Sequence, residues 1–383
     1  MKCWTSIGRF AAGLRERTIR LLIGGALLIS PSAASAAEES FAPFAEHAQL
    51  ALRHHYWDDH AHLFRNRADQ GDPAKGDFNY WWQAHALSAV SLAVARGSAV
   101  WKAADLTAFR TALLARNGGH WTNDYFDDEG WMAIAMRDAA AATGDRVFTA
   151  VGRLLWDDIR ITWNDSCGGG IPWRRQQRDY KNAPANGPAM LLGAAFAHDG
   201  GQAEDLPAAS RIATWLMATL RDPASGLIWD GINRTGKNEI DKGWRFTYVQ
   251  GIVIGACLEM RRATRQDAWR ESAEGLASAS LKEWFAADTG LCRDHGGKGD
   301  GGLFKGILAR YLGALATESP TLRARIRTAL AANARRLATL QAGHEDALLP
   351  ATWDAGAAPE DLELSTHLSA VLLGEGLLLK PAR

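Results

Sequence analysis

From residue 41 onward, apolar residues recur at three- and four-residue spacing, and the alternating β-branched runs that mark half-buried strands are scarce. The pattern predicts an all-α chain with helices over 41–66, 79–96, 104–116, 128–143, 145–163, 185–198, 205–221, 245–263, 265–286, 302–317, 319–341 and 362–378, about twelve in all. Gly-, Asp- and Asn-rich breaks separate them, among them Gly71-Asp72-Pro73, Cys167-Gly168-Gly169-Gly170, Arg234-Thr235-Gly236-Lys237 and the glycine-rich stretch 296–302. Every second break is long. Helical hairpins standing in a ring, with their long loops gathered at one end, need such an alternation, so the leading architecture is an (α/α)6 barrel of about six hairpins. A superhelical solenoid shares the hairpin rhythm but would repeat a motif at a fixed period. No such motif, linker or low-complexity tract is present in the sequence.

The N-terminus follows a different pattern. Lys2, Arg9, Arg15, Arg17 and Arg20 give a positive region ahead of an apolar run at 21–29, and Ala34-Ser35-Ala36 supplies small residues for cleavage before Ala37. The apolar run is too short to span a bilayer. A signal peptide over 1–36 and a single barrel domain over 37–383 are therefore expected, with the mature protein secreted or periplasmic and not stably inserted in a membrane.

The chain has 43 basic and 43 acidic residues, and the leader carries five basic and one acidic, which leaves 38 against 42. That balance gives no electrostatic reason to expect nucleic acid as a partner. Cys167, Cys257 and Cys292 lack the paired spacings of zinc sites or thiol exchange. At most one disulfide can form among them, and the sequence leaves open whether it does.

Sixteen tryptophans are present, and Trp81, Trp82, Trp121, Trp131, Trp173 and Trp229 sit beside polar loop residues. Core packing explains most single tryptophans, but an aromatic face also matches the apolar face of a pyranose, so the excess leans toward carbohydrate. The sharpest local feature is Asn123-Asp124-Tyr125-Phe126-Asp127-Asp128-Glu129-Gly130-Trp131, with four acids running into the apolar helix that follows. One acid would satisfy a helix cap. Several crowded together separate their pKa values, leaving one protonated.

Glycoside hydrolysis needs two carboxyl groups, and retaining enzymes hold them only about 5–5.5 Å apart, a spacing that consecutive side chains can meet. Asp127 and Asp128 are the candidate catalytic pair. A second cluster, Cys167-Gly168-Gly169-Gly170-Ile171-Pro172-Trp173 followed by Tyr180-Lys181-Asn182 and Asn186, offers backbone that approaches a ligand closely and side chains that grip hydroxyls; a plain loop with a helix cap is the alternative. His54, His55, His60 and His62 crowd one early helix without a further ligand at a known spacing, so no metal and no cofactor are expected. Nucleophile-elbow, phosphate-loop and Rossmann signatures are absent from the sequence.

These stretches resemble glycoside hydrolase family 76, whose bacterial members are endo-α-1,6-mannanases. The carrying motifs are Tyr125-Phe126-Asp127-Asp128-Glu129-Gly130-Trp131, the Cys-Gly-Gly-Gly-Ile stretch from Cys167, and Tyr180-Lys181-Asn182-Ala183 with Asn186. Tyr80-Trp81-Trp82-Gln83-Ala84-His85, Thr247-Tyr248-Val249-Gln250-Gly251 and Phe304-Lys305-Gly306-Ile307 follow the family order over roughly 45–375. The resemblance implies an (α/α)6 barrel, no metal, and endo cleavage of α-mannan with retention. Asp127 would be nucleophile and Asp128 acid/base, with Asp230 as a further acid contacting a sugar. Trp131, Gly168, Gly169, Trp173, Tyr180, Lys181, Asn182, Asn186 and Gln250 would contact substrate. Pro172 stands where a second aromatic is expected, and the stretch from Pro184 to Pro188 lacks the acid that often follows the family Asn; both departures bear on the substrate.

A transglycosylase or a hydrolase of another α-glycan fits the same barrel, and a glycan-binding protein without turnover is the non-enzymatic alternative. A lectin has no need of an adjacent acid pair. The protein is expected to be a monomer.

Overall fold

The computed structural model describes residues 40–354 and 362–380, so the leader read at 1–36 lies outside the described residues. Twelve α-helices run through the described residues: α1 (Ala42–Tyr56), α2 (Tyr80–Arg96), α3 (Ala103–Arg116), α4 (Phe126–Thr143), α5 (Arg146–Arg160), α6 (Ala183–His198), α7 (Asp205–Thr219), α8 (Thr247–Thr264), α9 (Ala268–Trp284), α10 (Gly301–Glu318), α11 (Arg323–Ala338) and α12 (Leu364–Leu378). The even-numbered helices pack in succession, α2 on α4, α4 on α6, and onward to α12, which returns to α2 and closes the ring. The odd-numbered helices pack outside their inner neighbours. This is the expected (α/α)6 barrel.

Side-chain pattern decides which helix goes where. Inner helix α6 is apolar all round, and every residue from Ala183 to Phe196 is buried. A helix without a polar face can only sit inside. Outer helix α5 buries Phe148, Val151, Gly152, Leu155, Trp156 and Ile159, a single stripe at three- and four-residue spacing. Each such aliphatic side chain removed from water contributes about 1.5–3 kcal/mol. Its N-cap is Asp145, whose carboxylate accepts from the Val147 N–H at 2.8 Å.

Two expectations need correction. The helix predicted over 41–66 ends at Tyr56 and gives way to a hairpin of β1 (Trp57–Asp58) and β2 (Leu63–Phe64). Asp58 turns the chain there, because its carboxylate accepts the N–H groups of His60 and Ala61 at 2.9 and 2.8 Å. No strand was expected elsewhere, yet β3 (Pro172–Arg174), β4 (Gln177–Asn182) and β5 (Gly231–Ile232) form an antiparallel sheet in that order. β3 and β5 are too short for alternation to register, and β4, Gln-Arg-Asp-Tyr-Lys-Asn, is too polar to show one.

The alternation of connections is as expected. Short links join α2 to α3, α4 to α5, α6 to α7, α8 to α9 and α10 to α11, and every long one leads into the N-terminus of an inner helix. Six inner-helix N-termini therefore share one end of the barrel. The site is built at that end.

Candidate active site

A cleft of about 470 Å3 opens there, within the range of small-molecule sites. Its lining comes from long connections and the opening turns of inner helices: Tyr80 and Trp81 on α2; Asp127, Asp128 and Trp131 on α4; Trp173 on β3; Tyr248 on α8; Asp300 and Phe304 at the start of α10.

Helix α4 starts at Phe126, two residues earlier than expected, so Asp127, Asp128 and Glu129 all lie in its first turn. Tyr125 at the N-cap provides no side-chain cap. The acids take over that work. Asp127 Oδ1 accepts the Asp128 N–H at 3.1 Å, and Asp127 Oδ2 accepts the indole N–H of Trp173 at 3.0 Å. Burial pushes the Asp127 carboxyl up, these two donors pull it down, and the charge of Asp230 pushes it up. Asp128 is pushed well above the carboxylate range, first by burial and then by Asp127, Asp300 and Glu129. None of the described residues donates a hydrogen bond to its carboxyl. Charge is thus favoured on Asp127 and the proton on Asp128.

The pair is held from two sides. Gly130, one residue past the acids, lies so close to α6 that a Cβ there would come within 2.6 Å of Pro188 Cβ. Only a glycine allows that approach. From the other side, Arg175 fastens the β3–β4 hairpin to the loop before α4. Its backbone N–H donates to Asp124 O and its Nε to Asn123 O, both at 2.9 Å, while its guanidinium bridges Glu129 and Asp158. The buried Glu129 carboxylate in turn accepts the Asn123 N–H at 2.6 Å. This clamp sets the position from which Trp173 reaches Asp127.

Asp230 stands behind the pair. Its carboxylate accepts from Tyr180 Oη at 2.7 Å, and the Tyr180 ring lies 5.6 Å from that of Trp173, edge to face. Burial raises its pKa to about 6, with the Tyr180 hydrogen bond opposing.

Of the residues expected from sequence, Asp127, Asp128, Trp131 and Trp173 line the cleft, and Tyr180 and Asp230 back it. The others have internal partners. Lys181, fully buried, donates to Gly170 O at 2.9 Å. Asn182 caps α6 by accepting from Ala185 N, and Asn186 bonds both backbone groups of Ile171. Gln250 does the same for Ile228. Expected to contact substrate, these four have their polar groups met by backbone within the fold, as buried polar groups require. Gly168 and Gly169 are likewise turned away from the acid cleft. Gly169, at φ +133°, lies against the indole rings of Trp163 and Trp215, and Gly168 lines a separate groove with those tryptophans.

Sequence reasoning missed Asp300, Tyr248, Phe304, Asn123 and Tyr125 as lining residues. Asp300 accepts from the indole N–H groups of both Trp81 and Trp82 at 2.9 Å. An aspartate just ahead of an apolar helix was the available signal. The three cysteines are free thiols, Cys257 and Cys292 buried and Cys167 partly so. Among the described residues, His54, His55 and Asp346 place ligand atoms within 4.8 Å of one another. They join α1 to a later loop and do not line the cleft: His54 Nδ1 pairs with the Asp346 carboxylate, and His55 Nε2 lies 2.8 Å from Asp346 O.

Residues 45–382 match glycosyl hydrolase family 76. The fold resembles an inactive variant of the α-1,6-mannanase GH76A of Salegentibacter sp. HEL1_6, solved with α-1,6-mannotetrose, at 31% identity and a TM-score of 0.79 over 88% of this chain and 99% of that one. A Listeria innocua protein superposes with a TM-score of 0.79 at 32% identity, over 89% and 97% of the two chains. The mannan endo-1,6-alpha-mannosidase DCW1 of Candida glabrata is 24% identical over 270 residues, which span 61% of this chain and 58% of that protein. A ring of helical hairpins holding an acid pair in an aromatic cleft defines a carbohydrate-cleaving enzyme. The chain belongs to glycosyl hydrolase family 76 and is a glycoside hydrolase.

Proposed function

We propose that this enzyme cleaves α-1,6-mannosidic bonds within mannan chains and retains the anomeric configuration. The observation that carries the reading is the unequal setting of the two acids. Asp127, with two hydrogen-bond donors, is the nucleophile that attacks the anomeric carbon. Asp128, crowded by three other carboxylates, gives its proton to the leaving oxygen and then takes one from the water that opens the glycosyl-enzyme. Two consecutive aspartates were replaced to inactivate the Salegentibacter mannanase, and Asp127-Asp128 is the consecutive pair lining the cleft here. Trp131 and Trp173 offer rings to the sugar, and Asp230, bonded to Tyr180, backs the cleft.

The test is digestion of α-1,6-mannan. Early loss of viscosity with a spread of oligosaccharides, and an α-configured first product by NMR, are expected. Release of single mannose units from the first time point would sink the endo reading, and a β-configured first product the retaining one. No helix of the described residues is long and apolar enough to cross a membrane. We further propose that the leader is removed before Ala37 and that the barrel works outside the cytoplasm as a monomer. Mass spectrometry of exported protein beginning at Met1 would refute the processing.

A further inference from the structure

Trp244 is 43% exposed, the only aromatic among the strongly exposed large hydrophobics of the described residues. A single exposed hydrophobic residue is ordinary, but a ring that other groups hold in place is ready to stack on an apolar face. Its backbone is anchored at both ends: the N–H donates to Asp241 O at 2.9 Å, and the carbonyl accepts the N–H of Asp230 at 2.8 Å. The Arg234 guanidinium covers the ring at 4.2 Å and is itself held by Asp241, Nε to Oδ1, at 3.1 Å. The ring is thus supported and still open to solvent.

A continuous run of aromatic rings joins Trp244 to the cleft. Trp244 meets Phe246 at 5.8 Å, and Phe246 meets Phe304 at 5.4 Å and Tyr248 at 6.0 Å. Tyr248 and Phe304 stack at 4.2 Å and line the cleft beside the acids. Three ring-to-ring steps separate Trp244 from Trp131, since Tyr248 lies 6.5 Å from that ring. A chain of pyranoses leaving the cleft along this run meets Trp244 a few sugar units from the acid pair.

We propose that Trp244 is a distal platform on which a mannosyl unit of the substrate chain stacks, making the enzyme selective for longer chains. The proposal rests on the α-1,6-mannanase reading above. A 1→6 linkage runs through an exocyclic methylene and carries one more rotatable bond than other linkages, so the free chain loses more entropy on being ordered. A remote stacking contact offsets that loss, and a short oligosaccharide cannot reach it.

The experiment compares kcat/KM for α-1,6-mannohexaose and α-1,6-mannotriose in the full-length enzyme and its Trp244→Ala and Trp244→Phe variants. In Trp244→Ala the hexaose-to-triose ratio should fall about tenfold, mostly through KM. Trp244→Phe, which keeps a flat ring, should stay within about threefold of the original ratio. An unaltered ratio in Trp244→Ala overturns the proposal. So does an equal loss on both substrates, which would mean that the Trp244 ring supports the site as a whole and does not read chain length. If the unmodified enzyme cleaves neither oligosaccharide, the mannanase reading itself fails, an outcome separable from the other two.

Discussion

The indole N–H of Trp173 donates to Oδ2 of Asp127 at 3.0 Å, so an aromatic ring of the cleft wall also steadies a carboxylate charge. A hydrogen bond to the ionised form lowers a carboxyl pKa. Trp173→Phe keeps the ring and loses the donor, and the Asp127 pKa should rise. Because the nucleophile must be ionised, the acidic limb of the kcat/KM profile should move to higher pH by about 1 unit, a cost of about 1.4 kcal/mol below it. An unmoved acidic limb would separate Trp173 from Asp127 energetically.

The two acids should fail in different ways. Asp127→Asn should abolish turnover of every glycoside, because no covalent intermediate forms. Asp128→Asn should still release the aryl group from an aryl α-mannoside with a good leaving group, in one burst, and then stall. Azide should restore its turnover and give α-mannosyl azide. Azide rescue of Asp127→Asn with an α-configured product would exchange the two roles, whereas a β-configured product, from direct displacement by azide, is what a missing nucleophile gives.

Asp300 lines the cleft as a third carboxylate and raises the Asp128 pKa through space. Asp300→Asn keeps an oxygen for Trp81 and Trp82 and removes the charge. The Asp128 pKa should fall, and since the acid must start protonated, the alkaline limb of kcat/KM should move to lower pH by about half a unit. A shift of that limb to higher pH would show that Asp300 does not act by charge.

Lys181 is buried with a backbone carbonyl as its partner, and burial lowers its pKa to about 8. A lysine whose folded pKa is depressed costs stability while both states are charged, below about pH 8. The cost is relieved between there and the unfolded value near 10.5, where the unfolded chain binds the extra proton. The stability difference between the natural enzyme and Lys181→Met should therefore shift toward the natural enzyme as pH rises through that window, on the order of 2 kcal/mol. Urea unfolding at pH 7.5 and 10 would measure it, and a pH-independent difference would contradict the assignment.

The ring was legible because long breaks alternate with short ones; which helices stand inside was not, since the all-apolar α6 and the striped α5 both read simply as helix. The acid pair was legible because three acids in one helical turn exceed what a cap needs. The backbone partners of Lys181, Asn182, Asn186 and Gln250 were not legible, because residue type alone does not tell a side chain that meets a sugar from one that satisfies backbone within the fold. Asp300 was missed for the opposite reason: a lone aspartate among glycines looks like a cap until Trp81 and Trp82 are folded onto it.

Because α12 docks on both α10 and α2, the ring is joined by elements nearly three hundred residues apart in the chain, and its last stave is also the last made. Until that helix emerges from the ribosome, the flank of α2 that will receive it has no mate. Closure of this barrel therefore waits on a pairing far more distant in sequence than any other between neighbouring inner helices, which makes it slow by the standards of helical bundles of local topology.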